Sequence, residues 1–109
     1  LVILNDVNTP LYELIYSGLP FILVENFTER PDLKETFKKK LINLKKINIL
    51  FDDPTKAAKF VNSLIKNNYI EEWWKKTYKT NIFLDLKNHI IVEKKNYLLM
   101  IIKNLTSLK

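Results

Sequence analysis

"LVILNDVNTPLYELIYSGLPFILV", residues 1 to 24, is the stretch on which the reading of the fold turns. Leu1 to Leu4 is a short continuous apolar run, the pattern of a strand buried on both faces. Thr9 followed by Pro10 predicts a helix start: a side-chain cap, then a proline at the first helical position, where its missing N–H costs nothing. Leu11, Leu14 and Ile15 fall at i, i+3 and i+4, on one apolar stripe. Gly18 is the only glycine of the chain, and it stands where that helix must end, suiting a left-handed position after the last turn. Pro20 bars continuation of the helix, and Phe21 to Val24 reads as a second buried strand.

The pattern repeats downstream. Leu33, Phe37, Leu41 and Leu44 predict a helix with a lysine-rich outer face, and Ile47 to Phe51 a third strand. Asp53 and Pro54 repeat the start chemistry of Thr9 and Pro10. Ala57, Ala58, Val61, Leu64 and Ile65 are the expected buried stripe of the helix that follows. The fold class expected is therefore α/β, half of a Rossmann-like domain. About three parallel strands alternate with helices through right-handed crossovers, and a helical C-terminal tail follows. "YIEEWWKKTYK" (69–79) reads as helical and "KKNYLLMIIKNL" (94–105) as a last helix. His89 to Glu93 is β-rich in composition and is read as helix or loop. One domain is expected over 1–109, with a strand and helix core over 1–68 and a mainly helical tail over 69–109.

The bulk properties fit this. The chain has 109 residues, 47% of them hydrophobic, enough for one domain and too few for two. No apolar run approaches the roughly 18 to 20 residues of a membrane span. With no cysteine, disulfides and thiolate metal sites are excluded and a cytoplasmic setting is permitted. The chain begins at Leu1, inside a strand-like run, and is read as a piece of a longer protein, so an upstream signal segment stays open.

A net charge of +6 and a pI near 9.5 raise nucleic-acid binding. Arg30 is the single arginine, however, and recognition of bases and phosphates favours the bidentate guanidinium. Composition thus weighs against nucleic acid and towards a solvated lysine surface. Lys38 to Lys40, Lys45 and Lys46 are expected on the wet face of the second helix. There they also offer charge to an anionic membrane surface, and a peripheral place at the inner membrane face follows as a second setting.

Ligands of open parallel sheets sit outside the carboxyl ends of the strands, against helix N-termini. Residues 5 to 10 occupy such a point. Free N–H groups of the first turn, with the helix dipole, favour an anion such as a diphosphate, and Asn8 and Thr9 add short polar side chains beside it. Glu13 lies one turn above Thr9, roughly opposite the apolar stripe, where a carboxylate accepts hydrogen bonds from ribose hydroxyls. The same residues also describe a capped surface helix with an early acid, and both readings stand at this point. His89, the lone histidine, reads as structural, and Asp52 and Asp53 read as a helix start rather than a metal pair, so no metal site is expected. Trp73 and Trp74 point about 100° apart on a helix, so one is expected against the sheet and the other partly exposed.

From Asp6, "DVNTPLYELIYSGLPFIL" resembles the signature of nucleotide-sugar-dependent glycosyltransferases of the two-Rossmann-domain (GT-B) type. The closer likeness is to bacterial transferases of surface carbohydrate biosynthesis. These carry an Asp-x-x-Ser-Thr-x-x-x-Glu pattern, a Pro before an apolar strand, an "ILF-D-P" join and an acidic "EEWW" element. Here those are Asp6, Thr9, Glu13, Pro20, "ILFDDP" (49–54) and "IEEWW" (70–74), with Asn8 where the family usually has Ser. The likeness runs from about residue 1 to 78.

The resemblance implies that the chain is the last part of a nucleotide-sugar-binding domain. Asn8 and Thr9 would approach the diphosphate of the donor and Glu13 its ribose. The donor is a substrate, and no cofactor or metal is implied. The acceptor-binding part, the catalytic base and the basic residue that meets the leaving diphosphate would lie upstream in the same chain, so these residues alone are not expected to catalyse. The other readings are a basic nucleic-acid-binding module and an α/β scaffold without the chemistry.

Overall fold

The computed structural model describes residues 1–7, 9–27 and 30–107. Its architecture is set by Phe21–Val24, which forms β2, the middle strand of a three-stranded parallel sheet ordered β1-β2-β3. Phe21, Ile22 and Leu23 are completely buried, as a continuous apolar run with a neighbour on either side must be. β1 (Val2–Leu4) pairs with it in the register Val2 with Phe21 through Leu4 with Leu23. β3 (Leu50–Phe51) pairs on the other side, Leu23 with Leu50 and Val24 with Phe51. Strands and helices alternate through the sheet, and helices complete the chain, as the α/β reading required.

Two of the strands differ from expectation. β1 is not buried on both faces: Ile3 is 58% exposed and Val2 40%. It is the edge strand, with β2 as its one neighbour among the described residues, so its apolar run is half-covered. The third strand starts at Leu50 rather than Ile47. The helix before it tightens into a 3₁₀ turn over Asn43–Ile47, and Asn48, at φ 60°, turns the chain through the left-handed region that asparagine tolerates.

Helix α1 covers Thr9–Ser17, so Thr9 lies within the helix rather than capping it from outside. The residue before it, Asn8, lies outside the described residues. Leu11 and Ile15 are fully buried and Leu14 nearly so. Gly18 ends the helix at φ +74°, its N–H bonded to the Leu14 carbonyl (3.0 Å), the left-handed terminus that its position predicted. α2 (Glu35–Ile42) buries Phe37 and Leu41. α3 (Pro54–Lys66) is capped by Asp53, whose Oδ1 accepts from the Thr55 N–H at 2.9 Å. Its buried stripe is Ala57, Val61 and Leu64, with Phe60 half-buried beside it. Ala58 is exposed and Ile65 is 59% exposed, because the helix rolls Phe60 towards Phe51 and Trp73 (ring centroids 5.5 and 5.4 Å) and away from Ile65.

α4 (Ile70–Thr77) buries both tryptophans, correcting the expectation of one exposed ring. Trp73 meets Phe60, whereas Trp74 fits between Phe21 and Phe83 (5.6 and 5.4 Å) and donates its Nε1–H to the Gly18 carbonyl at 2.6 Å. α5 (Asn81–Ser107) is one uninterrupted 27-residue helix that takes in His89–Glu93. Its first turns bury Phe83 and Leu86 in the same core as the sheet.

Candidate functional site

Helix α1 departs beyond the carboxyl end of β1, and its polar side carries Tyr12, Glu13 and Tyr16, all exposed. The chain after β2 runs past this side before entering α2, and α5 crosses over both. The three elements enclose a groove of about 620 Å³, within the range of small-molecule sites. Tyr12, Glu13 and Tyr16 form one wall, Asp32 to Lys34 and Phe37 a second, and His89, Ile90, Glu93 and Lys94 of α5 the third. Glu13 also borders a smaller hollow of about 370 Å³ that it shares with Val2, Leu14, Ser17 and Leu19 at the β1 edge.

The groove has an aromatic base. Tyr12 stacks on Phe37 (5.9 Å, 22°), and Phe37 stacks on His89 (5.5 Å, 20°), one ring from each of three helices. Burial pushes the Tyr12 phenol up against the lowering influence of Arg30, so at neutral pH it keeps its proton. His89 Nε2 lies 3.9 Å from Glu93 Oε1, too far for a hydrogen bond, and its ring packing agrees with a structural histidine. Lys94 holds its Nζ 5.4 Å over the Tyr16 ring. Flat apolar surface with carboxylates and ammonium groups on the rim suits a ring or a sugar face, with hydroxyls accepted by Glu13 or Glu93.

Beside the groove, at the carboxyl ends of β1 and β2, Arg30 gathers three carboxylates. Its Nη1 reaches Asp6 Oδ1 at 2.9 Å and Glu25 Oε1 at 3.4 Å, while Nε and Nη2 grip both oxygens of Asp32 at 3.0 Å. This fork-to-fork geometry is what a guanidinium offers and lysine does not. Asp6 Oδ1 also accepts the Val7 N–H at 2.7 Å. Three acids around one cation leave the cluster with excess negative charge, so it offers a phosphate nothing.

Of the three residues assigned from sequence, Glu13 stands on the groove. Asn8 lies outside the described residues, as does the side chain of Thr9. Asp52 is bound by Lys45 Nζ at 3.0 Å and Asp53 caps α3, as their helix-start reading required; among the described residues no cluster of metal-ligating side chains occurs. Lys38, Lys40 and Lys45 are not a simple wet face: they pair with Glu35 (3.8 Å), Asp85 (2.6 Å) and Asp52.

The assembled pattern, from the β1–α1 corner through the Asp53 cap to α5, matches a transferase family model, the LIC12162 family transferases, over residues 1–105. The chain belongs to the LIC12162 transferase family. No curated protein and no solved structure gives a match. The match extends through most of α5, well beyond the 1–78 span over which the motifs were legible. No helix among the described residues is long and apolar enough to cross a membrane.

The Arg30 cluster has a measurable consequence. Its hydrogen bonds hold the Asp32 carboxyl below the ordinary carboxylate range. A carboxyl so lowered stabilises the fold above its unfolded value, near 4, and the contribution is lost as pH falls through the lowered value. Arg30→Gln is therefore expected to lower the melting temperature at neutral pH, with the two melting curves converging below about pH 3 as the acids protonate. A constant offset at every pH would assign the loss to packing of the arginine stem instead.

Proposed function

We propose that the chain forms part of the nucleotide-diphospho-sugar donor site of a GT-B-type glycosyltransferase of surface carbohydrate biosynthesis, working in the cytoplasm or at the inner membrane face. Membership of a transferase family and the parallel sheet support this reading. The observation that carries it is Glu13, which faces a ring-lined groove from a helix that starts past the end of a parallel strand. The diphosphate takes the first turn of α1, with Asn8 and Thr9 beside it, where free N–H groups and the helix dipole receive negative charge. Arg30 is engaged by Asp6, Glu25 and Asp32, so it is not the cation for the leaving group. That cation and the acceptor's base belong to the part of the protein upstream of these residues, and glycosyl transfer needs both.

Glu13 accepts from the ribose hydroxyls and orients the nucleoside. The nucleic-acid reading is not favoured, since Lys38, Lys40 and Lys45 are taken up by Glu35, Asp85 and Asp52.

Titration of the full-length protein with nucleoside diphosphates, by calorimetry at physiological salt, tests the reading. Hydrogen bonds to a charged group contribute about 1.5–3 kcal/mol, so Glu13→Ala is expected to weaken binding roughly ten- to a hundredfold. The melting temperature should hold, because the side chain is exposed. Equal binding by both proteins, or none by either, makes residues 8 to 20 a helix start and the chain a scaffold.

A further inference from the structure

Among the described residues, the distal half of α5 runs clear of the hydrophobic core. After half-buried Ile90 every residue from 91 to 106 is exposed, and the helix draws the molecule out to 60 Å against 29 and 21 Å in the other directions. At 100° per residue, Ile91, Leu98, Ile102 and Leu105 fall within about 60° of the helix circumference over four turns, with exposed Val92, Leu99 and Ile101 widening the apolar face on its flanks and Tyr97 and Met100 behind it. Lys94 and Lys95 stand on its two shoulders, Lys94 next to the groove and over the Tyr16 ring, and the lone acid of this segment, Glu93, also on the groove, points away from the stripe.

That distribution selects the occupant. A second copy docked along the stripe in parallel would press Lys94 and Lys95 against their own counterparts, with no acid on the same face to answer them. An anionic lipid surface meets both features. Apolar side chains enter the acyl boundary, and the lysine stems lie along it while their ammonium groups reach the headgroups. No helix among the described residues is long and apolar enough to cross a membrane, so any contact of this face with lipid runs along the surface.

We propose that residues 91–106 of α5 anchor the protein to an anionic lipid surface, with the Ile91/Leu98/Ile102/Leu105 stripe immersed and Lys94 and Lys95 on the headgroups. The lipid-facing charge is thereby placed on α5 rather than on α2, whose Lys38 and Lys40 are paired with acids, as is Lys45 in the 3₁₀ turn after it. This inference does not depend on the donor-site reading, since no nucleotide takes part.

Flotation of the full-length protein with vesicles of phosphatidylcholine, with and without phosphatidylglycerol, tests it. Binding is expected only where phosphatidylglycerol is present, and to fall as salt is raised. Lys94→Gln/Lys95→Gln should weaken it about thirtyfold, at about 1 kcal/mol per charge. Leu98→Glu/Ile102→Glu should weaken it at least a hundredfold, at about 1.5–3 kcal/mol per buried side chain, with an unchanged melting temperature to show that the fold persists. Equal binding to both kinds of vesicle, binding that survives the double glutamate variant, or no binding at all overturns the proposal. So does a dimer, seen by sedimentation, that the double glutamate variant dissolves without any change in vesicle binding.

Discussion

Trp74→Ala is expected to cost about 3–5 kcal/mol, the scale for truncating a large buried aromatic residue and a large share of the 5–15 kcal/mol that holds a domain of this size. Trp74 joins three parts of the chain. Its ring meets Phe21 of β2, Phe83 of α5 and Trp73 in the same helix, at centroid distances of 5.6, 5.4 and 5.5 Å. Its Nε1–H ties the Gly18 carbonyl, just after α1. Removing the side chain leaves a cavity between the sheet and α5 and strips that carbonyl of its donor. Trp74→Phe separates the two losses: it keeps most of the ring packing and forfeits the hydrogen bond, so about 1–2 kcal/mol is expected. Urea denaturation followed by far-UV circular dichroism measures both. A cost below about 1 kcal/mol for Trp74→Ala would mean that Phe21 and Phe83 close up without it.

Why the fold was legible in residues 1 to 24 is plain from what those residues do. Gly18 adopts a left-handed backbone for a local reason, and Asp53 caps α3 for a local reason, so spacing reveals both. Phe21, Ile22 and Leu23 are buried whichever helices lie above them. Exposure of Ile3 depends on what stands beside β1, and no pattern within Leu1 to Leu4 carries that. Likewise Phe60 and Ile65 stand on opposite shoulders of the buried stripe of α3, and only one of them is covered. The aromatic cluster around Trp73 decides between them, and it comes from a helix encoded later in the chain. His89 to Glu93 has β-rich composition yet is helical, because Leu86 and Ile90 pack onto the core with helical period and carry the segment along.

Of the candidate site, one groove-lining residue was legible. Glu13 is set opposite a stripe that helical spacing alone defines, so its position could be read from residues 9 to 15. The groove could not, since its stacked rings, Tyr12, Phe37 and His89, come from three helices. The Arg30 cluster joins Asp6 to a residue 24 positions away. Its one sequence signal is a solitary arginine in a lysine-rich chain, followed two residues later by Asp32. A position that keeps arginine where composition supplies lysine marks bidentate geometry, and here the geometry serves the loops at the strand ends.

Phe83→Ala should split α5 into its two halves. Phe83 is fully buried against Phe21, Trp74 and Tyr78, and a cost of about 3–5 kcal/mol is expected. Leu98→Ala, on the same helix, should stay within about 0.5 kcal/mol, since Leu98 is half exposed and supports no packing. The effects differ because one end of α5 is core and the other is surface, although both are apolar in sequence. Phe83 also fixes the helix over α1 and α2, and with it the wall of the groove that His89, Ile90 and Glu93 supply. Apart from the core, the side-chain ties between α5 and α2 among the described residues are the exposed Lys40–Asp85 pair and the Phe37–His89 stack, which are weak holds in water. Phe83→Ala is therefore expected to impair groove binding and stability together, whereas Leu98→Ala leaves both intact and weakens only lipid binding. Denaturation, nucleotide titration and vesicle flotation on this pair read the three properties separately. If Phe83→Ala lowered stability and left nucleotide affinity untouched, α5 would be a prop for the sheet, and the wall it lends to the groove would play no part in binding.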